Sequence, residues 1–242
     1  MSEELRQLMV NLRLGRMAEM LEEVLAEGER EGHTTREVLG SLLRAQWHEK
    51  QEKAMAYRIR SAKLPESWSL ETFPYQLQTG VNKTQIRQFA ELDFITRREN
   101  IVFIGPTGVG KTGLASGLLL KALHNGYRGR FVKAQDLFDE MYASLADRST
   151  RSLINSLARL HVLVIDELGY LVIRPEQANV FFKLMEERYN RYSTIITTNL
   201  SYGEWAGFLG NRPMVEPLLS RLRHYCHTVR IEGPSLRQPR HE

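Results

Sequence analysis

Cysteine is all but missing from this chain of 242 residues. Cys226 stands alone, which excludes an internal disulfide and fits a reducing compartment. Long apolar runs are missing too. No uninterrupted stretch approaches the roughly 20 residues that a bilayer-spanning helix needs. The opening Met1-Ser-Glu-Glu-Leu-Arg-Gln-Leu8 is charged where a secretory leader would carry an apolar core. Export, membrane insertion and membrane partners are therefore not expected, and the address predicted is cytoplasmic. Internal repeats and low-complexity tracts are also lacking, which excludes solenoids and disordered tails as the organising theme. What is present is a 42% hydrophobic composition, enough for a real core, in a length that holds one ordinary domain with an appendage or two small domains. The formal charge of +4 is compatible with a polyanionic partner without requiring one.

From Leu5, the positions Leu8, Met9, Leu12, Met17, Met20, Leu21, Val24 and Leu25 recur at three- and four-residue steps, which predicts an amphipathic helix ending near Gly28. Thr34-Thr-Arg-Glu37 has the spacing of a capping box and predicts the start of a second helix, with Val38, Leu39, Leu42, Leu43 and Trp47 on its apolar face. That helix continues as a tract from Arg44 to Lys63, and Pro65 ends it. A connector from Trp68 to Tyr75 follows, and a domain boundary is placed there, giving residues 1–70 as a small all-α domain and 71–242 as a second one. A helix over 83–97 leads into the strand Ile101-Val-Phe-Ile104. Further strands are predicted at 129–134, 161–165, 194–198 and 228–231. Strands alternating with helical patterns argue for a parallel sheet covered on both faces.

The strand at Ile101 runs directly into Gly105, Pro106, Thr107, Gly108, Val109, Gly110, Lys111 and Thr112, the pattern Gly-x-x-x-x-Gly-Lys-Thr of a phosphate-binding loop. Gly105 and Gly110 let the backbone curl so that its N–H groups surround a phosphate. The helix starting near Lys111 points its positive dipole end at the same anion. Lys111 is expected to reach the β- and γ-phosphates, and Thr112 a magnesium ion, so this stretch implies a nucleoside triphosphate with Mg2+.

Hydrolysis needs more than a phosphate loop. His161-Val-Leu-Val-Ile-Asp-Glu167 is a buried strand ending in two carboxylates, at the rim where ligands sit in open α/β sheets. Asp166 is expected to hold the magnesium, and Glu167 to polarise the attacking water. The strand Ser193-Thr-Ile-Ile-Thr-Thr-Asn199 ends in an asparagine that either lies beside the γ-phosphate or caps the next turn. His224-Tyr-Cys-His227 has metal-ligand spacing, but a structural zinc needs four ligands and no second pair accompanies it.

Together, Gly105 to Thr112, Val164-Ile-Asp-Glu-Leu-Gly-Tyr170, Ile196-Thr-Thr-Asn199 and Leu218-Leu-Ser-Arg-Leu-Arg-His-Tyr-Cys-His227 resemble the AAA+ ATPases. More narrowly, they resemble the IstB-like insertion-sequence helper ATPases, relatives of DnaC-type helicase loaders. The resemblance implies a P-loop NTPase of AAA+ type with a central parallel β-sheet flanked by helices, preceded by a small all-α domain. It implies ATP bound between subunits of a homo-oligomer and an arginine reaching the neighbour's γ-phosphate. Arg221 matches that finger best, with Arg223 the runner-up. Ser220, where the family pattern has an acidic residue, and Thr107, where it has a second proline, are departures. The implied partners are duplex DNA and the transposase of the same element. A helicase loader and a nucleotide-gated protein scaffold are the rivals.

For duplex DNA the first-choice surface is the tract with Arg44, Lys50, Lys53, Arg58, Arg60 and Lys63, whose six cations face only Glu49 and Glu52. Such a row can neutralise successive phosphates and release counterions. Arg128, Arg130, Lys133, Arg148 and Arg151 are the second choice, and Arg230, Arg237 and Arg240 the third. No zinc finger or helix-turn-helix pattern reads bases, so binding is expected to be largely independent of sequence and sensitive to salt.

Overall fold

The computed structural model describes residues 3–65, 68–170, 172–210 and 212–237. The chain divides into two compact units, Met1–Tyr57 and Arg58–Glu242.

The first unit contains α1 (Glu3–Asn11), α2 (Gly15–Glu31) and most of α3 (Thr35–Ser61). The single helix expected up to Gly28 is in fact two, broken where Arg13 takes a left-handed φ of 58°. Gly28 does not stop α2, which runs on to a left-handed cap at Gly32. It is instead a close-approach site, since a Cβ there would come within 2.8 Å of Val38 Cγ2. The capping box is present: the Thr34 N–H donates to Glu37 Oε2 at 2.7 Å, and the Glu37 N–H to Thr34 Oγ1 at 3.3 Å. Met17, Leu21, Val24 and Leu42 form the core, with Val38 packed against it. Leu39, Leu43 and Trp47, expected on the buried face of α3, are exposed. Gln46 takes the inward place, where its Oε1 accepts the Met17 N–H at 3.3 Å. That donor belongs to the first turn of α2, whose N-terminus has no side-chain cap, so a buried amide serves it better than an indole would.

The second unit is built on a parallel sheet of five strands in the order β2-β3-β4-β1-β5: β1 Asn100–Ile104, β2 Gly129–Lys133, β3 Val162–Leu168, β4 Ser193–Thr198 and β5 Cys226–Arg230. Each β1 residue from Ile101 to Ile104 pairs with both neighbours, Val102 for example with Ile196 and Thr228. Alternation along β1 assigns its side chains to two cores. Val102 and Ile104 join one with α7 (Ala134–Ala146), α8 (Thr150–Ala158), α9 (Pro175–Arg188), α10 (Trp205–Leu209) and α11 (Arg212–His224). Ile101 and Phe103 join the other with α6 (Lys111–His124), α4 (Lys83–Ala90) and α5 (Asp93–Thr96). Burial on both faces explains the continuous apolar runs of β1 and β3. The helix expected over 83–97 is split into α4 and α5 by Leu92, at φ 67°.

The expected boundary at residue 70 differs from the division at Tyr57/Arg58, and local contacts account for that. Arg58 Nε donates to the Leu123 carbonyl at 3.1 Å, and the buried Ala62 accepts the Phe131 N–H at 2.7 Å. The last turn of α3 and the residues just after it are thus tied to α6 and to the outer edge of β2, covering one exposed strand N–H.

One buried charge staples the sheet to its helices. Arg188 is 1% exposed. It donates to the carbonyls of Leu157 at 2.7 Å, Leu160 at 3.0 Å and Ser193, and to Thr194 Oγ1 at 3.0 Å. Arg188→Met would keep the volume of the stem and take the guanidinium donors away from those three carbonyls and from Thr194. Urea unfolding should show a lower midpoint at unchanged slope, a loss on the order of 3 kcal/mol or more. An unchanged midpoint would mean that the staple adds nothing.

Candidate functional site

The C-terminal ends of β1, β3 and β4 meet at one edge of the sheet, and the phosphate loop leaves from β1. Gly108 and Gly110 have φ of 86° and 93°, a backbone that only glycine adopts freely, which is why the loop carries them. Gly105 is needed for space, since a Cβ there would meet the Ile231 carbonyl oxygen at 2.5 Å. α6 begins at Lys111 without a side-chain cap, leaving its first-turn N–H groups to the cleft.

Lys111 is buried, and its Nζ donates to the carbonyls of Gly105 and Pro106, each at 2.7 Å. Burial pulls its proton affinity below the usual lysine value, while Asp166 and Glu167 oppose this and Arg237 adds to it. Thr112 Oγ1 lies 3.0 and 3.1 Å from the two Asp166 carboxylate oxygens. Asp166 is 1% exposed, and burial raises its pKa against the hydrogen bonds from Thr197 and Thr112.

Thr197, on the strand between β1 and β3, was not among the residues read from the sequence as site residues. Its Oγ1 donates to Asp166 Oδ1 at 2.5 Å and accepts the Glu167 N–H at 2.9 Å, so one hydroxyl orients both acidic residues. Its only sequence signal is its position in a β-branched run ending at Asn199. Glu167 sits at an irregularity in the β3–β4 pairing with a left-handed φ of 59°, followed by Gly169 at 110°. A bulge there turns the Glu167 side chain into the cleft, and strained backbone of this kind concentrates at working sites. Tyr170 closes the turn onto the loop, its hydroxyl 2.9 Å from Thr107 Oγ1. Thr107, a departure from the family pattern, thereby gains a partner that proline could not offer.

The cleft above the loop has a volume of about 280 Å³ and is lined by Trp68, Thr107, Lys111, Thr112, Glu167 and Tyr170, among others. It is small beside a drug-sized pocket but suits a polyphosphate arm. Its polar groups suit a triphosphate with a hard divalent cation, because Thr112 and Asp166 offer hydroxyl and carboxylate oxygens side by side.

The other site residues lie outside this cleft. Asn199 is exposed at the end of β4, and a Cβ on Gly169 would meet its Oδ1 at 3.3 Å. Arg221 projects from α11 toward α9, its Nη1 3.2 Å from Glu186 Oε1, beside a separate groove of about 450 Å³. Arg223 stacks over the Tyr202 ring at 5.1 Å. Cys226 opens β5, and burial pushes its thiol up to about 11, an unreactive value. His224 and His227 are turned to Tyr189 at 3.2 Å and Glu99 at 2.8 Å. Among the cations, Arg44, Lys50, Lys53, Arg60, Lys63 and Lys133 are exposed. Arg58 is held by Leu123, and the half-buried Arg130 pairs with Glu140. Arg240 lies outside the described residues. Among the described residues no helix is long and apolar enough to cross a membrane.

Residues 7–242 match the family described as IstB-like ATP binding protein. The insertion sequence IS21 ATP-binding protein of Pseudomonas aeruginosa is 32% identical over 97% of this chain and 88% of its own length. The corresponding protein of IS5376 from Geobacillus stearothermophilus is 34% identical over 83% of this chain and 80% of its own. Among solved structures, the DnaC helicase loader superposes with a TM-score of 0.60 at 26% identity, over 71% of this chain and all of that one. AMPPCP-bound DnaA from Aquifex aeolicus superposes with a TM-score of 0.59 at 20% identity, over 70% of this chain and 51% of that one, a likeness of fold.

Proposed function

The chain belongs to the IstB-like ATP-binding protein family, with an AAA+ P-loop fold, and on that premise we propose that it is a Mg2+-dependent ATPase that assembles on duplex DNA and helps the transposase of its own insertion sequence engage target DNA. The observation that carries the reading is the joint placement of Lys111 on the loop carbonyls and of Thr112 and Thr197 on the Asp166 carboxylate, with Glu167 on the same cleft.

In this reading Lys111 exchanges its carbonyl partners for the β- and γ-phosphate oxygens. Thr112 and Asp166 hold a magnesium ion, which supplies neutralisation of the phosphoryl charge. Glu167, fixed through its backbone by Thr197, orients and polarises the attacking water. Asn199, at the neighbouring strand end, helps place that water. Arg221 lies away from the cleft of its own chain, which suits a role at the nucleotide of a neighbouring subunit. There a guanidinium would offset charge developing in the transition state.

The proposed DNA contacts are Arg44, Lys50 and Lys53 on the first unit and, as a separate group, Arg60, Lys63 and Lys133 on the second. Arg58 and Arg130 are left out because protein groups already hold them. Lys53 pairs with the half-buried Glu49 at 2.7 Å, but the lysine itself is exposed, and a surface pair of this i,i+4 kind is weak and yields readily to a phosphate. The names of the two relatives, ATP-binding proteins of the insertion sequences IS21 and IS5376, favour the transposition role over that of a helicase loader.

The test is ATP turnover without DNA, with duplex and with single-stranded DNA, alongside sedimentation of the same mixtures. Duplex should stimulate turnover severalfold and produce large assemblies, both declining steeply from about 50 to about 200 mM salt. Preference for single strands would move the reading to a loader. Indifference to DNA would move it to a protein scaffold.

A further inference from the structure

The segment after β5 does not leave the sheet but folds back over the phosphate loop. The Ile231 N–H donates to the Ile104 carbonyl at 2.9 Å, continuing the ladder past β5, and the Leu236 N–H donates to the Gly108 carbonyl at 2.8 Å. Between them stands Gln78, which is 0% exposed. Its Nε2 donates to the Pro234 carbonyl at 2.8 Å and to the Val109 carbonyl at 3.2 Å, while its Oε1 accepts the Gly80 N–H at 3.2 Å. One buried amide therefore clamps the segment to the loop with every polar atom satisfied. The glycines of the loop record the same closeness. A Cβ on Gly108 would lie 2.1 Å from Ser235 Oγ, and one on Gly110 3.1 Å from Leu236 Cδ1.

This path brings Arg237 to the cleft, where it lines the wall with Lys111, Thr112 and Glu167. Its N–H is anchored on Ser235 Oγ at 3.2 Å, and its side chain is exposed. Among the described residues no carboxylate pairs with it, and its charge works against that of Lys111. Two cations converging on one small cleft repel each other unless an anion lies between them.

We propose that residues 234–237 form a wall of the nucleotide cleft and that Arg237 binds the phosphate chain of the triphosphate opposite Lys111, with Gln78 fixing it there. The proposal rests on the reading of the cleft as a nucleotide site. It takes Arg237 out of the DNA-binding set and gives it to ATP. It also makes the segment responsive to the nucleotide, since the hydrogen bonds that hold it end on the loop that wraps the phosphates.

Calorimetry on the full chain with ATP and AMP, for wild type, Arg237→Ala, Arg237→Lys and Lys111→Ala, tests it. One charge-assisted contact predicts that Arg237→Ala raises the Kd for ATP about tenfold or more. AMP binding should not change, and Arg237→Lys should recover part of the loss. Arg237 is also a trypsin site, so ATP should slow cleavage after it in wild type but not in Lys111→Ala, as read by intact mass. An exposed side chain puts folding at little risk. If wild type binds ATP, and Arg237→Ala binds it equally well or loses ATP and AMP alike, the proposal is overturned while the nucleotide site stands. A weaker hold on DNA at unchanged ATP affinity would also overturn it and return Arg237 to the DNA surface. If wild type binds no ATP, the reading beneath it falls, and the proposal with it.

Discussion

Lys111→Ala is expected to weaken ATP binding by at least about a hundredfold, the loss of two charge-assisted hydrogen bonds in a partly desolvated cleft. Burial already lowers the proton affinity of this ammonium, so part of its solvation has been given up in the folded protein. What compensates is the pair of carbonyls at 2.7 Å and the two carboxylates beyond. A triphosphate offers stronger acceptors at the same place, so ligand binding recovers a desolvation cost that folding has already met. Alanine removes the charge, and it also leaves the Gly105 and Pro106 carbonyls without their donor. Lys111→Met, which retains the apolar stem while lacking the ammonium, separates the loss of this charged donor from the loss of the stem's packing. Both variants should lose affinity alike if charge is what matters. Calorimetric titration with ATP, beside a thermal melt to show that the fold persists, is the measurement. A dissociation constant within a few-fold of wild type would remove the phosphate-loop assignment.

That assignment was legible in the sequence because every part of it is local. Gly105 to Thr112 lie within one turn and one helix start, and of the two glycines that define the motif Gly110 takes a positive φ while Gly105 leaves room for the Ile231 carbonyl. Asp166 and Glu167 were legible for a similar reason, as the acidic end of an apolar strand. The parallel sheet followed from the alternation of apolar runs with helical patterns, and its strand ends shifted by only a residue or a few. The trans candidate Arg221 came from the resemblance alone. Its groove toward α9 depends on how two helices pack, which the residues around it do not state.

What stayed hidden depends on contacts between distant residues. Thr197 reads as one β-branched strand residue among several until β4 is placed beside β3, when its hydroxyl falls between Asp166 and the Glu167 N–H. Gln78 is a polar residue in a connector until the segment near Pro234 arrives 156 positions later. In the first unit, helical periodicity counted Trp47 as core because it is apolar, whereas the helix start at Met17 needed an acceptor and Gln46 supplied it. Periodicity measures apolarity, and it is blind to an unpaired backbone donor at a neighbouring helix end. The same blindness explains Gly28, read as a stop when its role is to let α3 approach α2 at Val38.

Glu167→Gln should cut ATP turnover by about a hundredfold or more while leaving ATP affinity within about threefold of wild type, the signature of a lost general base. The substitution is nearly isosteric, and the Thr197 bond that positions residue 167 is made to its backbone, so the left-handed turn at φ 59° should survive. Removing the Glu167 charge also relieves Asp166, whose pKa its neighbour helps to raise, so the carboxylate proposed to hold the metal should ionise more readily in the variant. Binding is thus expected to hold or tighten while chemistry stalls, and the DNA-bound assembly should persist on sedimentation. Unaltered turnover would take the water-polarising role away from Glu167. Mixing then decides whether the site is shared. Arg221→Ala alone should bind ATP and lose DNA-stimulated turnover, so each variant alone is expected to turn over slowly. In a mixed assembly, an Arg221→Ala subunit with an intact Glu167 can face a Glu167→Gln subunit with an intact Arg221, which reconstitutes one complete site between two defective chains. Partial recovery on mixing therefore requires that Arg221 act on a neighbour's nucleotide. No recovery, in mixtures that sediment as joint assemblies, would rule out a site shared between neighbours, and unaltered turnover of Arg221→Ala alone would leave its Glu186 pair as a surface contact.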